Sequence, residues 1–304
     1  MQALFNIINK PLGWFLESIA GILGGNFAAA VFVFTLIINI AMIPLSIKSQ
    51  KSSVQQMRIK PKLDELKKRY GDDKQKYSMA MQKLYQEENV SMAGGCLPMI
   101  LRLVLMLSIY YLIMSPLTYL LHIDADVINQ AAKAIGKSVQ RTPELNIIEA
   151  IKAGTINFPV ISEKLSGIDF NLFGIDLTQK PKFSFDIFHD VQLIWIMPII
   201  AFAAQLLSSL ISVKIQKKVN PEAPSMAGML YTMPLLSLFI GFTLPGGVTF
   251  YWACSSLIGG LIQAGVQIFY SPHKMLANER AKELTKQCLF EEGQIKKITA
   301  SDNE

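Results

Sequence analysis

Five long apolar runs, separated by segments rich in charge, organise this chain: Asn26 to Ile47, Cys96 to Thr118, Val191 to Val213, Met226 to Leu244 and Gly247 to Tyr270. A membrane helix needs about 20 predominantly apolar residues to cover roughly 30 Å of hydrocarbon, and each run meets that length or comes close. The pattern predicts an all-α polytopic membrane protein with a core of five transmembrane helices. The expected layout is an amphipathic interfacial helix over 1–24 and membrane helices over 25–48, 96–121, 191–213, 226–244 and 247–270. Between them come a cytoplasmic charged helical hairpin over 49–95, an extracytoplasmic helical loop over 122–190, a cytoplasmic connector over 214–225 and a basic cytoplasmic tail over 271–304.

The segment 49–95 has its own rhythm. Val54, Met57, Leu63 and Leu66 form one thin apolar stripe among many charges, the mark of a helix with a single buried edge. Pro61 lacks the N–H for the helical ladder and is expected to kink or restart it. Gly71 suits a C-terminal cap and Asp72 an N-cap, with a second helix from Asp73 to about Glu88. At the chain start, Asn6, Asn9, Pro11 and Glu17 interrupt the apolar sequence. A signal peptide would instead have a charged start and a continuous apolar core. The stretch reads as an amphipathic helix in the outer interface, with Trp14 and Phe15 at headgroup level. After the second run, Thr142, Pro143 and Glu144 form a helix start, Leu145, Ile148 and Ile151 share a face, and Gly154 marks the stop. They predict a small helical insert over the outer mouth. Leu244, Pro245 and Gly246 form the tight outer turn between the last two runs.

Composition fits the membrane class, since 51% of the 304 residues are apolar and only 17% are charged. Charge then orients the chain. Eleven Lys and Arg lie from Lys48 through Lys83, and others crowd the Lys214 to Lys218 connector and the tail after Pro272. Basic residues stay on the cytoplasmic side, so the N-terminus is expected outside and the C-terminus inside. The 122–190 loop, with seven basic and nine acidic residues, suits the exterior. The basic hairpin reads either as a solvated connector or as a docking arm for anionic lipid, ribosomal RNA or an incoming acidic chain.

Two polar residues stand out inside the first two apolar runs. Arg102 on an insertion scale costs roughly 3 kcal/mol in lipid, and it reads either as a snorkelling side chain or as part of a wet site. Asn39 lies at a similar depth: nine residues from Lys48, about 13 Å of helix, against five residues, about 8 Å, from Leu97 to Arg102. Gln205, Ser208 and Ser209 on the third run, and Ser255, Ser256, Gln263 and Gln267 on the last, read as groove lining or as helix-to-helix hydrogen bonds. Trp252 reads as groove or packing. Cys96, Cys254 and Cys288 have no spacing for a disulfide framework or zinc site, and His122, His189 and His273 fall in loops and at run edges. There is no Gly-rich phosphate loop or Walker sequence. No cofactor, metal or catalytic constellation is expected, and the chain does not read as an enzyme.

Three stretches carry a family resemblance: TLIINIAMIPLSIKSQ (Thr35 to Gln50), MRIKPKLDELKKRYGDDKQKYSMAMQKLYQEENVSMAGGCLPM (Met57 to Met99) and GGVTFYWACSSLIGGLIQAGVQ (Gly246 to Gln267). They resemble the YidC family of membrane protein insertases, in the compact form found in Gram-positive bacteria, and the likeness covers about 26–121 and 166–272. The resemblance implies a hydrophilic groove with one positive charge, open to the cytoplasm and to lipid and closed outside. Through it a short, often acidic, external client segment crosses while the client's apolar helix slides into lipid. It implies no nucleotide hydrolysis, action alone or beside the Sec translocon, ribosome binding through cytoplasmic parts, and client membrane proteins and the bilayer as partners. IDFNLFGIDLTQKP (Ile168 to Pro181) resembles the family's interfacial segment before the third core helix, and 122 to about 165 exceeds the family pattern. The family's groove arginine corresponds to Asn39 here, while Arg102 stands where many members have a neutral polar residue. The expected client-binding groove is therefore Arg102 and Asn39 with Gln205, Trp252, Ser208 and Gln263, its charge transferred between facing helices. An anion channel or small-solute transporter and a ribosome-docking receptor are the alternative functions.

Overall fold

The computed structural model describes residues 2–91, 97–136, 144–181, 192–219 and 227–301. In chain order the helices are α1 (Gln2–Ile22), α2 (Phe27–Ala41), α3 (Ile43–Tyr70), α4 (Lys74–Glu87), α5 (Leu97–Met114), α6 (Pro116–Tyr119), α7 (Ala125–Ala134), α8 (Glu144–Lys152) and α9 (Pro159–Ser166). A two-stranded antiparallel hairpin follows, β1 (Asn171–Leu172) and β2 (Ile175–Asp176). After it come α10 (Ile196–Val219), α11 (Ala227–Gly241), α12 (Gly246–Phe269) and α13 (Pro272–Ser301). Among the described residues the fold is helical apart from that hairpin and one isolated bridge between Asn26 and Asp169, as an all-α membrane protein requires.

Prolines set where the apolar runs break. The first run ends as a helix at Ala41, and Met42 caps it with its N–H on the Ile38 carbonyl. Pro44 follows, whose ring clashes with the carbonyl four residues back. The second run breaks at Ser115, directly before Pro116. Among the described residues two helices are long and apolar enough to cross a membrane, Leu193–Ile215 and Gly246–Asn278, or three if α2 and α3 count as one span. Leu103–Met114 and Thr232–Gly241 are shorter apolar stretches.

The chain divides into two compact units, the first comprising Met1–Met42, Met99–Val213 and Ser225–Ile262. Its core is built from Leu16 and Ile19 of α1, Phe27, Val31 and Phe34 of α2, Ile109, Leu112 and Ile113 of α5, and Leu117 and Leu120 around α6. Ile128, Ile147, Ile148 and Ile161 of α7 to α9 complete it. Leu145 and Ile148 of α8 are buried in this core with Ile151 packed at its margin, and Ile147 is buried beside them. Thr142 and Pro143, expected to start this helix, lie outside the described residues. Gly154 does adopt the left-handed conformation of a C-cap, φ +68°. The interior face of α1 rests on α2 and on α6, where the Tyr119 hydroxyl donates to Asn6 Oδ1 at 2.6 Å. A Cβ at Gly13 would stand 2.0 Å from the Tyr119 carbonyl oxygen, so only glycine permits that approach.

Glu144, the first residue of α8, receives the Thr118 amide at 3.0 Å and the Thr118 hydroxyl at 2.5 Å. Burial nevertheless raises its pKa, outweighing those bonds. A carboxyl with a raised folded pKa favours the folded state most when protonated. The Glu144 contribution to stability is therefore greatest below the ordinary Glu range and is lost as pH rises through the folded pKa. The melting temperature of the native chain relative to that of Glu144→Gln should fall between about pH 4 and 7. An unchanged slope in the variant would assign the pH dependence elsewhere.

The second unit comprises Ile43–Pro98, Lys214–Pro224 and Gln263–Glu304. In it α3 runs unbroken through Pro61, against expectation. The ring is on the exposed face, and Val54 and Ile59, both 1% exposed, fix the helix beside it. The cap of α4 is Asp73, whose carboxylate accepts the Gln75 and Lys76 amides, one residue later than expected at Asp72. Gly71 is not in the left-handed region. A Cβ there would meet the Lys67 carbonyl at 2.5 Å, so glycine serves close approach rather than a positive-φ cap. At the far end of α4, Asn89 at φ +52° and the Val90 amide on the Tyr85 carbonyl form a Schellman turn. Glu88 reaches back to Arg58 at 2.9 Å and to Lys62 on α3. The Lys62 hydrogen bond is foremost in lowering its pKa.

Candidate functional site: a polar seam and an open-ended core

Burial along α2 is confined to its first turns: Phe27, Ala28, Ala30, Val31, Phe34 and Thr35 are buried, whereas Leu36, Ile37 and Ile40 are exposed. The gradient in α5 runs the opposite way, with Ile100, Leu101 and Leu103 exposed and Ile109, Leu112 and Ile113 buried. The start of α2 and the end of α5 therefore share the packed end of the first unit, and positions 39 and 102 lie beyond its tight packing. Asn39 is half-buried, and its Nδ2 donates to the Thr35 carbonyl at 2.8 Å, while the Thr35 hydroxyl donates to the Val31 carbonyl at 2.6 Å. Arg102 is on α5, and its side chain lies outside the described residues. The break at Met42 cancels the straight-helix count from Lys48 to Asn39, so matched depth no longer follows from residue counting. The two burial gradients replace it.

Backbone bonds knit the packed end. Gly25 and Phe27 clasp Asp169: the Asp169 amide donates to the Gly25 carbonyl at 2.8 Å, and the Phe27 amide to the Asp169 carbonyl at 3.0 Å. At the start of α12, the Gly246 and Gly247 amides donate to the Gln179 and Leu177 carbonyls at 2.9 and 2.8 Å. One residue marks the convergence. A Cβ on Gly247 would lie 3.2 Å from Ile113 of α5, 3.3 Å from the Leu177 carbonyl and 3.5 Å from the Phe27 ring of α2. The segment from Gly167 to Gln179 thus ties together the ends of three helices. Phe170 seals it by packing on Phe27, ring centroids 4.8 Å apart.

Along α10 and α12, small residues recur at matching intervals: Ala201, Ala204 and Ser208 on one, and Ala253, Ser256 and Gly260 on the other. The three alanines form a buried cluster. Ser256 donates to Gln205 Oε1 at 2.7 Å. At Gly260 a Cβ would fall 2.1 Å from Ser208 Oγ. Contact positions rise together on both helices, so α10 and α12 run parallel. Small residues let membrane helices approach closely and hydrogen-bond across the seam. Gln205 and Ser208 are therefore engaged with α12, in the helix-joining role that the sequence also allowed. The seam's glycine and alanines are not among the candidates that the sequence singles out, although their shared i, i+3, i+7 spacing is visible there.

The remaining candidates are spread along α12. Trp252 and Gln263 are half-buried, Ser255 is buried, and Gln267 Oε1 is enclosed without a hydrogen-bond partner. On α5, Ser108 is fully buried and its hydroxyl is likewise unpartnered. Among the described residues no group of three or more His, Cys, Asp or Glu side chains comes together as a metal site.

Residues 18–273 match the family of the 60Kd inner membrane protein. The chain belongs to that family, whose relatives here carry the name YidC. "Membrane protein insertase YidC 2" of Listeria innocua serovar 6a is 27% identical over 296 residues, which cover 96% of this chain and 79% of the relative. "Membrane protein insertase YidC" of Ectopseudomonas mendocina is 26% identical over 251 residues, 82% of this chain and 32% of the relative. The protein of the same name in Haemophilus ducreyi is 44% identical over a shorter stretch of 109 residues, 36% of this chain and 20% of that one. The chain thus spans most of the Listeria protein's length and at most about a third of the other two.

Proposed function

We propose that this chain is a membrane protein insertase that passes a client's short external segment through a groove carrying one positive charge, Arg102, while the client's apolar helix moves into lipid. The observation that carries the reading is the one-ended core: packing is tight where α2, α5 and α12 meet the 167–179 segment and falls away before positions 39 and 102. A groove closed outside and open towards the cytoplasm requires that asymmetry. Asn39 lines it opposite Arg102, Trp252 contributes on α12, and Gln205 and Ser208 hold its wall. Parallel α10 and α12 with α11 between them support three successive crossings, and with α2 and α5 these make five spans. Basic α3 and α4 then form the cytoplasmic hairpin, the N-terminus is outside and the C-terminus inside. Sec and the ribosome are proposed partners through the hairpin and tail, and no nucleotide or cofactor takes part.

The physical case is electrostatic. A wet half-channel shortens the low-dielectric path for a client tail, and a fixed guanidinium attracts its carboxylates. The membrane potential adds about 2.3 kcal/mol per charge at 100 mV in the same direction. Sealed liposomes carrying the protein should protect the tail of a single-span client from external protease while passing little chloride. Chloride flux without client protection would instead favour the channel reading.

A further inference from the structure

The tip of the β1–β2 hairpin carries a residue that its backbone disfavours. Phe173 has φ +49° and Gly174 φ +85°, and two consecutive positive φ angles define the two-residue turn for which Asn-Gly or Asp-Gly is the preferred sequence. A bulky aromatic in the left-handed region is a genuine outlier. The side chain gains nothing inside the protein, being 94% exposed, the largest exposure among the described large apolar residues. Its neighbours differ: Phe170 and Ile175 are buried and root the hairpin in the core. Lys152 and Asp176 pair at 2.7 Å at that root, with the Lys152 ammonium 5.7 Å from the centre of the Phe170 ring.

The level of this tip is set by covalent and hydrogen-bonded neighbours. Asp169, four residues before Phe173, is bonded to Phe27, the first residue of α2. That is where the first apolar run begins. Ile22 and Leu23, just before the same point, are also exposed apolar residues, 84% and 37%. Three large apolar side chains are thus exposed in the segments that adjoin the start of α2, and side chains of this kind, aromatic ones above all, gather at a lipid boundary.

We propose that Phe173 is a lipid anchor: the hairpin tip inserts into the outer leaflet at the boundary of headgroups and acyl chains, and with Ile22 and Leu23 holds the 167–179 segment against the bilayer. The inference rests on α2 being a membrane helix that starts at Phe27, and it is independent of insertase activity. Burial of the ring in lipid offsets the strain of the turn. The anchor keeps in place the segment whose amides and carbonyls close the packed end.

Two variants in lipid nanodiscs test this. Phe173→Trp adds a fourth tryptophan to the three native ones, and its added emission is expected to be blue-shifted and quenched by lipids brominated near the headgroup end of the chains. Emission at the water-exposed wavelength with no quenching, or quenching only when a client is added, would overturn the anchor. Phe173→Asn separates lipid from local structure by sign, because Asn suits the left-handed turn better than Phe does. A merely structural tip predicts slower amide exchange across 171–176 in the Asn variant. The anchor predicts faster exchange, by about tenfold, in nanodiscs. Slower or unchanged exchange would contradict the proposal.

Discussion

Arg102→Gln alone should cut client insertion about tenfold, and adding Asn39→Arg to the same chain should restore it. The size follows from Coulomb's law: a guanidinium and a carboxylate about 4 Å apart attract by roughly 1 kcal/mol in bulk water and about 4 kcal/mol at an effective dielectric near 20. A partly wet groove lies between these limits, and about 1.4 kcal/mol corresponds to tenfold. Rescue follows from geometry, because both positions lie beyond the packed ends of their helices. The Asn39 amide is already turned back onto Thr35, so removing it breaks only a bond local to α2. Clients with an acidic tail and with a neutral one, inserted by each variant, provide the measurement. Equal insertion by Arg102→Gln and wild type would reduce Arg102 to a snorkelling side chain.

Gly260→Val should be among the most damaging single substitutions in the membrane helices. Any Cβ at 260 falls 2.1 Å from Ser208 Oγ and 2.8 Å from Ser208 Cβ, so α10 and α12 must separate. Separation stretches the Ser256 to Gln205 hydrogen bond and opens the alanine cluster beside it. Overpacking of this kind costs about 1 to 3 kcal/mol, which lowers the melting temperature of the purified protein by several degrees. Ser208→Gly removes both nearest atoms and should recover a large part of the loss with Gly260→Ala. Failure of that double variant to recover would mean that the neighbour at Gly260 is not what limits its size.

Much of this architecture is legible in the residues. Apolar runs announce the membrane class, the GDDKQK to GGCLP sequence announces the family, and the Asp73 region announces a helix start to within one residue. Pro61 misleads because a proline's local penalty yields to tertiary support: Val54 and Ile59 are both buried, and the packing of α3 on α4 and α13 outweighs the missing hydrogen bond. Depth at Asn39 misleads for the converse reason, since counting along a helix assumes that no break intervenes at Met42. The groove candidates divide by what pairs with them. Gln205 and Ser208 face α12 through contacts between residues about fifty apart in sequence, and no local pattern fixes such partners. The closed end depends on Gly25, Gly246 and Gly247 meeting one segment through backbone atoms, a relation that side-chain chemistry does not encode.

The most direct measurement is protease protection of a single-span client with an acidic tail, in sealed liposomes that contain this protein and neither Sec nor nucleotide. The account predicts protection that requires the protein, falls when the tail is neutralised and falls again with Arg102→Gln. Protection no greater than in protein-free liposomes would contradict it.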